Sequence, residues 1–278
     1  MIISASRRTD IPAFYSAWFL NRIKEQFFVQ VNPFNRKQTV ISLNPFDVDL
    51  MVFWTKNPEP LIEHLKALDN KGYRYYFQYT LNDYPSVFEP RVPHLPARID
   101  VFKKLSSIIG SNRVIWRYDP IIISNVSPVD YHLECFSHLA SELAGYTERV
   151  VISFLDMYGK VIPKLRKLNN QHKITVRDIT LDHNRTELFT LAKGIQEIAG
   201  KSGLGVYTCS EKINLDQFGI QHGGCIDVAL ANRIFDLSLS MPKDKGQRDK
   251  CLCAEAVDMG MYDTCKFACV YCYANWSL

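Results

Sequence analysis

Cys265, Cys269 and Cys272 stand at the spacing C-x3-C-x2-C, and five of the chain's eight cysteines fall between residue 251 and its end. Thiolates this close in sequence can ligate one metal centre from a single short loop. Three of them take three corners of an iron–sulfur cubane and leave one iron without a protein ligand, an open position where a small molecule can bind and react. A disulfide framework would spread its pairs along a short secreted chain, so this clustering points to metal or redox chemistry. The competing reading is a group of buried thiols that pack as small hydrophobes.

Four more cysteines remain once the triplet and Cys135 are set aside: Cys209, Cys225, Cys251 and Cys253. Cys209 ends a strand-like run, Cys225 follows two glycines, and Cys251 and Cys253 flank Leu252. Four thiolates would complete an auxiliary 4Fe–4S cluster or a tetrahedral zinc site. Core thiols are the alternative here too. Cys135 falls inside a helical pattern and reads as buried packing.

The elements that must position these groups alternate. Runs rich in Val, Ile, Tyr, Phe and Trp predict strands at Ile2–Ala5, Phe28–Asn32, Val48–Thr55, Tyr73–Leu81, Arg113–Asp119, Val150–Asp156 and Leu204–Cys209. Thr39–Leu43 adds a further strand after a turn at Asn32–Asn35. Apolar residues at helical spacing predict helices over Pro58–Lys71, Arg98–Ile109 and Thr186–Ala199, and another opened by a Ser127 cap with Pro128 at its first position. Such alternation implies right-handed βαβ units and a mostly parallel sheet. The expected fold is one α/β domain: a complete or partial parallel β/α barrel over residues 1–240, with a cysteine-rich tail over 241–278.

In a barrel, chemistry belongs at the C-terminal ends of the strands. Those ends carry Ser6–Asp10, Lys56 and Asn57, Asn82, Arg117 and Asp119, Asp156–Lys160 and Cys209–Glu211. Arg117 and Asp119 share one side of a period-two strand, as catalytic candidates or as a structural ion pair. Together the polar ends describe a pocket above a hydrophobic sheet; the alternative is ordinary solvated loops.

Composition narrows the class. At 278 residues, 47% hydrophobic and 22% charged, the chain can bury a large core without disulfides or metals. Its 33 basic and 29 acidic side chains give +4, too little to make the whole surface a nucleic-acid or membrane binder. Met1–Arg8 places its charges after the apolar stretch and has no long apolar core, so it does not read as a secretory signal. No apolar run approaches the ~20 residues of a membrane helix. A cytoplasmic protein without a membrane partner is expected. Lys160, Lys164, Arg166, Lys167, Lys173 and Arg177 form an acid-free basic stretch that would suit phosphates, or simply a solvated face.

The triplet, with Tyr271 as the aromatic before its last cysteine, resembles the signature of the radical S-adenosylmethionine superfamily. The resemblance implies a β/α barrel and a 4Fe–4S cluster on Cys265, Cys269 and Cys272, with S-adenosylmethionine chelating the fourth iron. It also implies an electron donor of flavodoxin or ferredoxin type. That superfamily usually carries the motif after its first strand, whereas here it lies near the C-terminus, and no Gly-Gly-Glu follows an early strand. The arrangement is similar to an uncharacterised bacterial family, a domain of unknown function, whose ends match residues 4–12 and 262–275, with Phe53–Pro58 and Arg117–Pro120 also family-like. On this resemblance the tail folds over the barrel mouth. Arg7 and Arg8 are then available for the S-adenosylmethionine carboxylate or an anionic substrate, and Asp10 for ribose hydroxyls or for orienting an arginine. Lys56, Asn57, Asn82 and Tyr271 complete the expected cofactor-binding set. The substrate is unknown, with a nucleic-acid-derived one fitting the basic stretch. The alternative function is a non-catalytic, cysteine-rich zinc or Fe–S protein that binds nucleic acid.

Overall fold

The structure, a computed structural model, describes residues 1–276; Ser277 and Leu278 of the expected tail lie outside them. The chain runs β1 (Ile2–Ala5), α1 (Ile11–Phe14), α2 (Ser16–Glu25), β2 (Phe27–Val31), β3 (Gln38–Ser42) and β4 (Leu50–Thr55). It continues with α3 (Glu59–Ile62), α4 (Leu65–Asn70), β5 (Tyr75–Thr80), α5 (Leu95–Ile109), β6 (Val114–Ile121), β7 (Ile123–Ser124) and α6 (Val129–Leu143). Then follow β8 (Arg149–Phe154), α7 (Ile162–His172), β9 (Val176–Arg177), α8 (Arg185–Lys201), β10 (Gly205–Cys209), β11 (Gln221–Gly223), α9 (Val228–Phe235) and β12 (Val257–Asp258).

Eight strands form one parallel sheet in the order β11-β10-β8-β6-β5-β4-β1-β12. Apart from β12, which adds beside β1, the order follows the chain without the reversal that marks a doubly wound sheet. The hydrogen-bonded ladder is open, with β11 and β12 at its edges. A mixed α/β fold with a large parallel sheet is therefore what the sequence delivers. Among the described residues, no helix is long and apolar enough to cross a membrane.

Period-two alternation assigns each strand two faces. One face carries Ile3, Phe53, Phe77, Trp116, Ile152 and Val206, which pack with Phe102 of α5, Phe136 of α6 and Leu191 of α8 in the largest apolar cluster. Burying a side chain of that size stabilises by roughly 1.5–3 kcal/mol. The other face carries Ile2, Val52, Tyr76, Ile115 and Val151 and packs against Leu230 and Ala231 of α9 together with Cys225, Cys251 and Cys253. Toward the strand ends this second face turns polar, through Ser4, Gln78, Arg117 and Ser153.

Three local readings need correction. Phe28–Asn32 is no part of the main sheet: β2 pairs antiparallel with β3 as a separate hairpin. Pro58–Lys71 is two short helices, because the N–H groups of His64 and Ala67 bond back three residues, to Leu61 and His64, and tighten the turn between them. Pro128, not Ser127, holds the cap position of α6. The Ser127 hydroxyl donates instead to the Ile122 carbonyl at 2.6 Å, which takes it away from the helix end.

Candidate functional site

A cavity of about 420 Å³ opens at the C-terminal ends of the strands. Its walls come from the loop after β1 (Ser6–Asp10), from Trp54–Lys56, Thr80, Arg117, Asp119 and Ser153, and from Cys209 and Ser210. The tail closes it. Cys251, Cys253, Cys265, Cys269, Tyr271 and Cys272 all line the same space, and so does the Gly246–Arg248 loop.

What brings the tail to the head is an acid that sequence reasoning missed. β12 adds to the free edge of β1, and Asp258 at its end accepts four hydrogen bonds. The donors are the hydroxyls of Ser4 (3.1 Å) and Ser6 (2.6 Å) and the backbone N–H groups of Arg7 and Gly260 (2.9 Å each). The approach is tight: a Cβ on Gly260 would lie 1.9 Å from Ser6 Oγ. Further along, Tyr15 donates to the Thr264 carbonyl at 2.6 Å and Tyr273 to the Arg7 carbonyl at 2.9 Å. Lys164 of α7 donates to the Cys272 carbonyl at 2.9 Å, so it is a clamp on the tail rather than a free phosphate ligand. The basic stretch is thinned further by Arg177, which forks onto Glu187 at 2.8 and 2.9 Å.

The triplet sits in a wall of aromatic rings with Phe267, Tyr271, Tyr84 and Phe88. Cys269 is buried and Cys265 and Cys272 are half-buried. Burial pushes the Cys265 thiol up to about 11, against the backbone N–H groups of Phe267 and Asp10 that reach its sulfur. Burial raises Cys269 too, while the nearby Lys56 opposes it. The N–H of Ala274 donates to Cys272 Sγ at 3.3 Å. Such N–H···S contacts are the protein's usual means of tuning thiolates around a cluster.

Lys56 lines the cavity through an ion pair with Glu89 at 2.8 Å, and its ammonium lies 5.7 Å from the centre of the Tyr271 ring. Tyr271 also donates to Glu89. Glu89, buried and unremarkable in the sequence, thus orients two of the expected site residues. Arg117 and Asp119 do form an ion pair. Burial opposes charge on Asp119, but the Arg117 guanidinium and the Ser153 hydroxyl hold its carboxyl below the usual range. The other arm of Arg117 touches Cys225 Sγ at 2.7 Å and Gln78 Oε1 at 3.3 Å.

Asp10, expected to take ribose or an arginine, is engaged with backbone. One oxygen caps α1 through the Ala13 N–H at 3.0 Å and the other accepts the Lys56 N–H at 2.7 Å. Burial lifts its carboxyl to about 7, with those two bonds opposing. Asn57 and Asn82 do not line the cavity, which corrects their expected role. Asn57 Oδ1 accepts the Glu59 N–H at 3.2 Å and starts α3. Asn82 is buried and exchanges two 3.1 Å bonds with the backbone of Asp119, fixing the end of β6. Arg7 and Arg8 are placed as expected, at the cavity wall. Arg7 Nη1 lies 3.5 Å from Asp244, while Nη2 is buried without a partner among the described residues. Thr9 Oγ1 and Ser210 Oγ, in residues of the lining, are likewise buried without partners among the described residues.

Cys209, Cys225, Cys253 and Cys251 follow one another in contact along the wall opposite. Cys225 Sγ lies 2.8 Å from Cys209 Sγ, and side-chain contacts link Cys225 to Cys253 and Cys253 to Cys251. Hydrogen bonds from those two neighbours pull the Cys253 thiol well down, against burial. Among the described residues, no group of three or more His, Cys, Asp or Glu side chains is spaced to hold a metal ion as it stands. The donor chemistry nonetheless fits metal: soft sulfurs with N–H donors aimed at them.

A family profile described as "Domain of unknown function (DUF1848)" matches residues 2–274. No curated protein matches the chain. Among solved structures it is similar to a candidate alpha-L-fucosidase from Bacteroides thetaiotaomicron, at 12% identity and a TM-score of 0.32 over 70% of this chain and 84% of the other. A likeness that low carries no argument about fold or activity.

Proposed function

The chain belongs to the DUF1848 family, a domain of unknown function, and for this member we propose a radical S-adenosylmethionine enzyme. One observation carries the reading: the C-x3-C-x2-C loop is folded back to the C-terminal ends of the strands, into a cavity it shares with Arg7, Lys56 and Arg117. A structural cluster would be as useful anywhere on the surface, whereas a reactive one belongs where substrate is held away from water. The one-directional strand order supports reading the sheet as a partial β/α barrel.

Cys265, Cys269 and Cys272 would hold a 4Fe–4S cluster with one open iron. Such a cluster, given one electron by a flavodoxin- or ferredoxin-type donor, would supply the reductive cleavage of S-adenosylmethionine to methionine and a 5′-deoxyadenosyl radical. The chain's own residues bind and orient. Arg7 lines the cavity, and a guanidinium grips a carboxylate more firmly than a neutral donor does. Thr9 and Ser210 line the same space. Arg117 and Asp119 fix each other and shape the cavity floor. Lys56 and Arg248 are paired with Glu89 and Asp156, so it is Arg8 that gives the lining a cation to favour an anionic substrate, a nucleic-acid-derived one included.

The test is anaerobic reconstitution of the full chain with iron and sulfide, followed by dithionite and S-adenosylmethionine. The expected result is a brown protein that forms 5′-deoxyadenosine, and a Cys265/Cys269/Cys272→Ala variant that has lost one cluster's iron and all of that product. A chain that loads iron but yields no 5′-deoxyadenosine, or a variant that yields as much as the parent, would sink the assignment and favour a purely structural metal protein.

A further inference from the structure

We infer that Cys209, Cys225, Cys251 and Cys253 form a second, tetrathiolate metal site, separate from the C-x3-C-x2-C loop and independent of the function proposed above. The four sulfurs come from three segments: the end of β10, the loop after β11, and the stretch before β12. Nothing in their spacing along the chain brings them together. Tertiary structure does so, and it does so with backbone against backbone.

Gly224 shows how closely. A Cβ there would lie 2.8 Å from the Leu252 carbonyl oxygen, so only glycine lets the loop before Cys225 rest on the loop that carries Cys251 and Cys253. The pairing continues as Ala254 donates to the Ile226 carbonyl at 2.9 Å. From the sheet side, Tyr76 and Gln78 both donate to the Cys225 carbonyl, at 2.6 and 2.8 Å. The loop is thus held from above and below at the position that presents its sulfur.

The surroundings are those of thiolates rather than of inert core thiols. Cys253 Sγ accepts the N–H groups of Cys225 at 3.2 Å and Ile226 at 3.5 Å. Arg117 places a guanidinium N–H 2.7 Å from Cys225 Sγ. Core cysteines pack against carbon; these sulfurs face one another, two amides and a cation. Buried thiols in mutual contact gain little as hydrophobes, and four together gain a great deal as ligands.

The sulfurs touch rather than surround a centre. With metal–sulfur bonds near 2.3 Å, a tetrahedral ion needs its sulfurs about 3.8 Å apart, so Cys209 and Cys225 must part by about 1 Å from their 2.8 Å contact. A cubane would spread them further, to about 6 Å. The two occupants share four-thiolate ligation and differ in the centre, a single Zn2+ ion or a mixed-valence iron–sulfide cubane, and both release the thiol protons on binding.

The experiment uses the full chain with Cys265, Cys269 and Cys272→Ala, so that the outcome does not depend on the first site. One arm is loaded anaerobically with zinc and the other with iron and sulfide, and native mass spectrometry reads the mass gained. One zinc in the first arm assigns a single-ion site; four irons with four sulfides in the second assign a cubane. Adding Cys225→Ser and Cys253→Ser should lower the retained metal at least tenfold. Because those two, like Cys251, lie in the packed core, the half-buried Cys209→Ser alone serves as the second variant, with circular dichroism confirming that it folds. A folded triplet variant that takes up metal in neither arm, or serine variants that load as fully as their parent, would overturn the site.

Discussion

Cys265, Cys269 and Cys272 lie on one loop and owe their proximity to local chain, whereas Cys209, Cys225, Cys251 and Cys253 come from segments that only the sheet brings together. The first group is read from spacing and needs no fold to be recognised. The second has no motif, yet a cation and two amides are fixed upon its sulfurs, two of which touch. The difference separates two ways of making a site. A local loop can be moved about a fold, and here it sits at the opposite end of the chain from its place in the superfamily it resembles. A site assembled from strand ends cannot move without the fold.

That contrast can be broken at its hinge. Asp258 lies between the two cysteine groups and satisfies four donors, three from the head of the chain and one from Gly260 beside it. Asp258→Ala leaves those donors buried and should cost about 4 kcal/mol in denaturant unfolding. It should also free the triplet loop to proteolysis before the segment bearing Cys251 and Cys253. If both segments are cut at the same rate, the hinge is not where we place it.

The next largest effect concerns the wall behind the triplet. His132 faces the rings of Tyr84, Tyr118 and Tyr131, and Tyr84 in turn meets Tyr271 at 6.1 Å. Burial lowers the His132 imidazole to about 4, with the Ile122 carbonyl opposing. Its folded value lies below that of the unfolded chain, so its contribution is whole above about pH 6.5. It is lost as pH falls toward 4, where the unfolded chain takes up a proton that the fold refuses. The loss should reach about 3 kcal/mol. Unfolding at pH 7.5 and 4.5 should show that much extra acid sensitivity relative to His132→Gln; equal slopes would refute it.

Gly224→Ala tests the second group alone. The added methyl meets backbone, so the two loops must separate at a cost of about 2 kcal/mol. Metal retained by the four-cysteine set should fall while triplet iron stays. Cys135→Ala is the smallest change. That thiol is half-buried on α6 and touches neither group, so stability should shift by less than about 1 kcal/mol and iron content not at all.

The central strands were legible because their runs of Val, Ile and aromatic residues suit a pleated, buried surface; β4, β5, β6 and β8 fall within two residues of where patterning puts them. β11 and β12 were not. Gln221–Gly223 and Val257–Asp258 are too short to show a period, and they are strands only because a neighbour offers an edge. The site divides likewise. Arg7, Lys56 and Arg117 end strong strands and so announce themselves. Asp258 bonds Arg7 from 251 residues away, and no local signal sets it apart from a surface acid. Asn57 and Asn82 mislead for the opposite reason: they stand at strand ends, but their amides are spent on backbone.

The pairing of β12 with β1 also sets an order of events during synthesis. β1 is made before β12, and one of its edges waits for residues made more than 250 positions later. Until then Ser4, Ser6 and the Arg7 amide lack the acceptor that Asp258 supplies, and the cavity lacks a side. Contacts of such sequence separation form late and slowly. A nascent chain therefore cannot close this cavity before Asp258 has been translated.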